Sequence, residues 1–526
     1  MRTSISAVLC LLALASRPAF ADSYYKLRLD DPQAAYVGPS GGDDTNAIQE
    51  AINRVSDTYH FGIVFLAPGN YRVTHTIYIW PMVRVIGYGA TRPTLSLPDK
   101  AQGYADPKSE NYLFFFSGSR TQTYRDVRPP DATPGTFYSA LSNIDIHVGE
   151  GNPGAVAIRG TYAQHCFLAH IDFHIGSGLA AVHDSGNVME DVRFFGGRYG
   201  VWSRTPSPGW QLTLVDSYFE GQREAAIRDQ EAGLTLIRPQ FHNVPSAVSI
   251  DDGVPEDLWI KDALFDHVSG PALIISLENN SRTEINVETA TCHEVPVFAL
   301  LRESGKRLNA PATVYRVASF THGLTFAGIA ATGHIKTQFN AAPLKSLPPP
   351  VASDLTPLPP AETWVNIRSL GAKGDGVADD TAAFRRAVAQ HRTIYIPSGF
   401  YRITDTLSLR PDTVLIGLHP LATELIIPDG TPAFAGVGSP VPLIEAPGGA
   451  ANIVMGIGLY TNGNNPRAVA AKWMSGTHSL MNDVRFLGGH GTVNLNRTRQ
   501  NPYNNDHSAD PDSNRRWDSQ YPSLWV

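Results

Sequence analysis

The chain repeats itself on two scales, and this excludes most of the folds open to a chain of its length. On the larger scale, "GGDDTNAIQEAI" at residues 41–52 returns as "VADDTAAFRRAV" at 377–388. The strand-like text behind it returns too: Gly69, Tyr71, Thr74, Pro81, Ile86 and Gly87 fall over Gly399, Tyr401, Thr404, Pro411, Ile416 and Gly417. A third block, "MEDVRFFGGRYGV" at 189–201, recurs as "MNDVRFLGGHGTV" at 481–493. Each opening predicts a short helix in which Asp44 or Asp380 accepts hydrogen bonds from free first-turn amides and suits the helix dipole. Ala47, Ile48, Ala51, Ile52 and Val55 share one face of the first helix, as Ala383, Phe384, Ala387 and Val388 do of the second.

On the smaller scale, residues 139–300 break into units of roughly 20 to 25 residues, the period of a solenoid. Their strands read "SNIDIHV", "AHIDFHI", "EDVRFFG", "VDSYFEG", "IRPQFHN", "KDALFDH" and "ETATCHE", each followed by a polar corner and a second short apolar strand. A propeller needs more strands per period, and leucine-rich repeats need Leu and Asn positions that are missing. The remaining reading is all-β: two tandem right-handed parallel β-helices, each opened by a capping α-helix, over 22–342 and 363–526. Between them, residues 343–362 form a proline-rich linker that cannot join a sheet interior.

Strand alternation sorts the coils into columns stacked about 4.8 Å apart. Ile146, Phe173, Phe194, Phe219, Phe241, Phe265 and Cys292 form an inward stack. Cys166 and Cys292 lie five coils apart, about 24 Å, which rules out a disulfide between them. Three columns read as outward: Asn143 to Thr289 through His170, Asp191, Asp216, Arg238 and Asp262; Asp145 to Thr291 through Asp172, Arg193, Tyr218, Gln240 and Leu264; and His147 to His293 through His174, Phe195, Glu220, His242 and Asp266. Rings and fixed polar groups of this kind suit a sugar-binding surface, and neighbouring carboxylates supply acid and base. The candidate catalytic residues are Glu220, Asp216 and Asp191. Asp191 and Asp216 stack in one column, so repulsion would raise the pKa of one of them. Asp172, His174, Arg193, Phe195, Tyr218 and His242 are the candidate substrate-binding residues. The competing reading is a solvated face whose charges pair across rungs, such as Asp172 with Arg193.

A net charge of −7, with no cluster of Lys and Arg, argues against nucleic acid as a partner. Residues 1–21, with Arg2, the apolar run "ISAVLCLLALA", Pro18 and the ending Ala19-Phe20-Ala21, have the layout of a cleaved secretory signal, predicting a secreted or periplasmic protein without a membrane anchor. The second copy stops soon after its third block, so its β-helix is expected to be incomplete. Asp506, Asp510 and Asp512 in the polar tail match no calcium-loop spacing.

"GAKGDGVADDTAAFRRAV" followed by "IYIPSGFYRI" resembles the opening of the pectate-lyase-like β-helix domain, and its occurrence on both sides of a linker resembles glycoside hydrolase family 55. That resemblance implies two β-helices side by side, a substrate cleft between them, and inverting exo-hydrolysis of β-1,3-glucan without a metal or other cofactor. It also implies an acidic glutamate in the second β-helix. Glu424 and Glu445 are the glutamates available there, and neither matches that role by motif. A lyase acting on uronate polymers, with Arg193 or Arg238 as base, and a non-catalytic, tailspike-like glycan binder are the alternatives.

Overall fold

The computed structural model describes residues 23–204, 211–462, 465–488 and 521–526. The signal-like leader and the three tail aspartates lie outside them. The predicted coils form: the strands Ala140–Val148, Phe167–Gly176 and Asn187–Gly196 stack in parallel, with Ile146 paired to Phe173 and Phe173 to Phe194. The register continues through Phe219, Phe241 and Phe265 to Cys292. From Phe173 to Phe265 the rings lie face to face with centroids 4.5–5.2 Å apart. Each ring in this stack is fully buried, and its contribution follows from that area. Cys166 and Cys292 are free and buried.

Each of these long strands is bent. Asn143, His170, Asp191, Asp216, Arg238, Asp262 and Thr289 all have φ between 49° and 62°. One left-handed residue per coil breaks the alternation, so the column beside the core is a corner and not a flat outward row. The corner turns one 16-stranded sheet into two sides of the solenoid, and a 10-stranded sheet makes the third. An antiparallel hairpin, Val314–Thr325 and His334–Pro343, covers the far end of the stack. Among the described residues, the second β-helix builds three smaller sheets around its own core.

Helices α1 (Thr45–Tyr59) and α2 (Thr381–Gln390) sit where expected, with two corrections. Asp44 and Asp380 do not cap them. The preceding residues do, Asp43 accepting from the Thr45 amide at 3.0 Å and Asp379 from the Thr381 amide at 2.9 Å. Asp44 faces inward and accepts from the Ser40 and Arg72 amides, and Asp380 from those of Lys373 and Gly374. Ala47 is exposed while Gln49 is buried, because the Gln49 amide pairs with both backbone groups of Tyr78.

A third apolar cluster joins the two β-helices: Tyr25, Leu29, Ile63, Phe65 and Ile86 pack against Tyr395, Val414, Ile416, Leu418 and Ile453. Within this seam Arg84, 1% exposed, donates to both carboxylate oxygens of Asp483 (2.5 and 3.2 Å) and to the carbonyls of Tyr138, His165 and Leu418. The linker leaves Pro343 and runs back over the corner column, where the Ser353 hydroxyl donates to Asp216 at 2.6 Å and Asp354 pairs with Arg238 at 2.7 Å.

Asp229 and Glu256 are both buried in the first β-helix and close enough to interact, and among the described residues neither Asp229 oxygen has an N–H or O–H donor of its own. Burial raises both carboxyls, so the pair keeps a proton that the unfolded chain has already lost at neutral pH. A raised folded-state pKa makes stability fall as pH rises above the ordinary carboxyl range, by up to about 1.4 kcal/mol per pH unit for one retained proton. Asp229→Asn keeps a donor toward Glu256 without the proton. Urea unfolding at two neutral-to-alkaline pH values is expected to show a clear slope in the parent and a flatter one in the variant; equal slopes would refute the shared proton.

Candidate active-site face

The second and third columns form one half-buried face of the first β-helix, on the strand segments that follow the corner. In the third column the His147 ring lies 4.4 Å from His174, tilted by 47°, and His174 stacks on Phe195 at 4.8 Å. Tyr218, one column over, continues the row, 5.7 Å from Phe195 and 4.7 Å from His242. Burial holds His147 below its ordinary pKa and takes His174 down to about 4. The five rings form a platform along the solenoid axis, stacked at His174–Phe195 and Tyr218–His242 and tilted at the other two contacts.

Two carboxylates border this platform. Glu220 accepts from the Tyr218 hydroxyl at 3.0 Å and pairs in register with Phe195 on one side and His242 on the other. Asp266 is the next residue in the column after His242. Burial works to raise its pKa, but hydrogen bonds from His293 and His267 outweigh burial and hold it below the usual carboxylate range. Two rungs separate Glu220 from Asp266, about 9.6 Å along the axis.

The other predicted residues are placed differently. Asp172 is 2% exposed and sits between two guanidiniums, Arg193 (2.8 Å) and Arg92 (2.9 Å). It is a core brace, and a sugar has no approach to it. Arg92, unremarkable in the sequence, bridges the same rung to Asp145 at 3.0 Å. Asp145 is raised to about 6 by burial, against the pull of Arg92. Asp191 and Asp216 are corner residues. Asp191 accepts from His170 Nδ1 at 2.8 Å. Burial pushes it up, but His170 with Arg92 and Arg193 brings it below its ordinary value, the reverse of the expected repulsion. Asp216 is held by Arg238 (2.5 Å) and Ser353. The structure thus brings His174, Arg193, Phe195, Tyr218, Glu220 and His242 together, buries Asp172 behind Arg193, and places Asp191 and Asp216 on the corner. Asp266 stood in the predicted column but outside the predicted site. Its signal was "FDH" one coil above "TCHE", with Asp266 and His293 in register.

The seam holds a cavity of about 380 Å³ lined by residues of both β-helices, among them Tyr24, His170, Glu190, Met455, Met481 and Asp483. Of its charged groups, Asp483 is held by Arg84 and His165 (3.0 Å), and burial raises the Glu190 carboxyl; beside the cavity Glu424 pairs with Arg485 (3.1 Å). Burial raises Glu424 to about 7, with Arg485 opposing. Glu424 is itself 5% exposed and is not among the residues lining the cavity. Glu445 pairs with Lys472 at 2.7 Å.

A family model described as rhamnogalacturonase A/epimerase, pectate lyase-like, matches residues 37–248 and 364–426, just over half of the chain. "Non-secreted LysM effector LysM19" of Penicillium expansum is 21% identical over 443 residues, covering 76% of this chain and 34% of that protein. The chain spans about a third of the length of the first curated relatives it matches. A "Glucan 1,3-beta-glucosidase" of Cochliobolus carbonum is 29% identical over 118 residues, 21% of this chain and 14% of that one. Among solved structures, sacteLam55A from Streptomyces sp. SirexAA-E has 13% identity and a TM-score of 0.36, covering 88% of this chain and 66% of that one.

Proposed function

We propose that this chain, which belongs to the rhamnogalacturonase A/epimerase, pectate lyase-like family, is an exported polysaccharide-active protein that hydrolyses β-1,3-glucan from chain ends with inversion. The observation that carries the reaction class is the placement of Glu220 and Asp266 on one half-exposed column, two rungs apart and beside the ring platform. Inverting glycosidases hold their two carboxyls about 6.5–9.5 Å apart, leaving room for a water between base and sugar. An axial spacing of about 9.6 Å suits that arrangement. Glu220, beside Phe195 and the Tyr218 hydroxyl, takes the role of general acid, and the ionised Asp266 that of base. The match to a glucan 1,3-beta-glucosidase supports the choice of substrate.

The lyase reading loses its bases. Arg193 pairs with Asp172, and Arg238 with both Asp216 and Asp354, so each cation is held by carboxylates. Incubation with laminarin, polygalacturonate and alginate, following reducing ends and the absorbance of unsaturated products, tests the proposal. Reducing ends from laminarin alone, without unsaturation, are expected. Unsaturated product from a uronate polymer would transfer the reading to a lyase. Binding without turnover would leave only the platform.

A further inference from the structure

One cluster of ligating side chains has a use beyond acid and base. Asp266, His267 and His293 each offer a ligand atom, and these three atoms lie within 4.8 Å of one another. Two imidazole nitrogens converge on the same oxygen: His267 Nδ1 and His293 Nδ1 lie 2.7 and 2.8 Å from Asp266 Oδ1. Their rings meet edge to face, at 88° with centroids 5.0 Å apart. Behind them, Glu294 Oε2 lies 3.0 Å from His267 Nε2.

Carboxylates face both nitrogens of His267, Asp266 at Nδ1 and Glu294 at Nε2. A carboxylate that receives the outer N–H of an imidazole while the inner nitrogen binds metal is the usual support of a metal-ligating histidine. Two imidazoles and one carboxylate are a donor set for zinc and its first-row neighbours rather than for calcium or magnesium, which take oxygen ligands. Ligand atoms on a tetrahedral zinc with bonds near 2.0–2.1 Å stand about 3.3 Å apart. The two contacts with Asp266 need to open by about half an ångström to admit the ion, and His267 and Glu294 are exposed enough to move, with side chains 44% and 52% accessible.

We infer that Asp266, His267 and His293 form a binding site for a divalent transition metal of the zinc class, with Glu294 orienting His267 and water completing the coordination. The site shares Asp266 with the hydrolytic reading, in which that carboxylate serves as base when no metal is bound, and its test reads bound metal and not turnover. Untagged full-length chain, stripped with chelator and returned to zinc at mildly alkaline pH, is expected to retain a single tight equivalent. Cobalt(II) in its place is expected to give the intense visible bands of a low-coordinate site. Zinc is expected to raise the melting temperature of the parent but not of a His267→Ala/His293→Ala double variant, which loses the tight equivalent. Glu294→Gln keeps every ligand and is expected to weaken zinc by about 10- to 100-fold; it covers the case in which the double variant fails to fold. Equal zinc binding by parent and Glu294→Gln, or no retained zinc in the parent, would overturn the site and leave a hydrogen-bonded cluster.

Discussion

Arg84→Met is expected to destabilise the full chain by about 3–5 kcal/mol, the effect of stripping one partner from a buried ion pair. The arginine holds five acceptors at once, two oxygens of Asp483 and three main-chain carbonyls, from both β-helices. Its removal leaves Asp483 with His165 and takes from three carbonyls a donor that methionine does not replace. At present Arg84 and His165 hold Asp483 below its ordinary pKa although burial pushes it up, so the loss is a charge left in a dry seam. Methionine conserves the packing over Phe167, where the guanidinium lies 4.9 Å from the ring, and this separates the electrostatic loss from a cavity. Unfolding in urea, followed separately by tryptophan fluorescence and circular dichroism, gives the shift. A second change, Asp483→Leu, is expected to recover much of the loss, since an apolar pair at a buried site is often neutral relative to the ion pair it replaces. A shift below about 1 kcal/mol in Arg84→Met would mean that the apolar cluster around Phe65 and Ile416 carries the seam without it.

That seam was illegible in the sequence for a simple reason. Arg84 and Asp483 are 399 residues apart, and nothing in either repeat announces that one will meet the other. The coils were legible because each strand repeats its inward residue in register with the next. The corner lay between these extremes. Its trace is a break in the alternation: the buried residues run Leu168, Ile171, Phe173 and then Met189, Val192, Phe194, three apart and then two. A straight strand keeps a spacing of two throughout, so the extra residue in every coil marks the left-handed turn. Missing it turned Asp191 and Asp216 into members of an outward column, when their backbone aims them at His170 and Arg238. The burial of Asp172 was hidden for another reason. Its second partner, Arg92, comes from a connection outside the repeat, and column reasoning sees only what repeats. Glu220 and His242 kept their places because they lie beyond the corner, where alternation holds again.

Glu220→Gln separates chemistry from architecture on this face. The glutamine preserves volume and still offers an oxygen to the Tyr218 hydroxyl, so melting temperature and glucan binding are expected to stay near those of the parent. Turnover of laminarin is expected to fall by on the order of 10²- to 10⁴-fold, the usual share of a positioned general acid, with KM little changed. The decisive comparison is an aryl β-glucoside with a dinitrophenolate leaving group. Departure of that group needs no proton, so the variant is expected to recover much of the parent rate on it. Asp266→Asn removes the group that activates water and is expected to stay slow on both substrates. Asp216→Asn, by contrast, loosens a corner that Arg238 and Ser353 hold together, and its cost is expected in stability with turnover little affected. If Glu220→Gln turned over laminarin at the parent rate, the column would be a binding surface alone. If it were slow on laminarin and equally slow on the activated glucoside, Glu220 would be holding the sugar and not delivering its proton, because only proton delivery becomes dispensable when the leaving group departs as a stable anion.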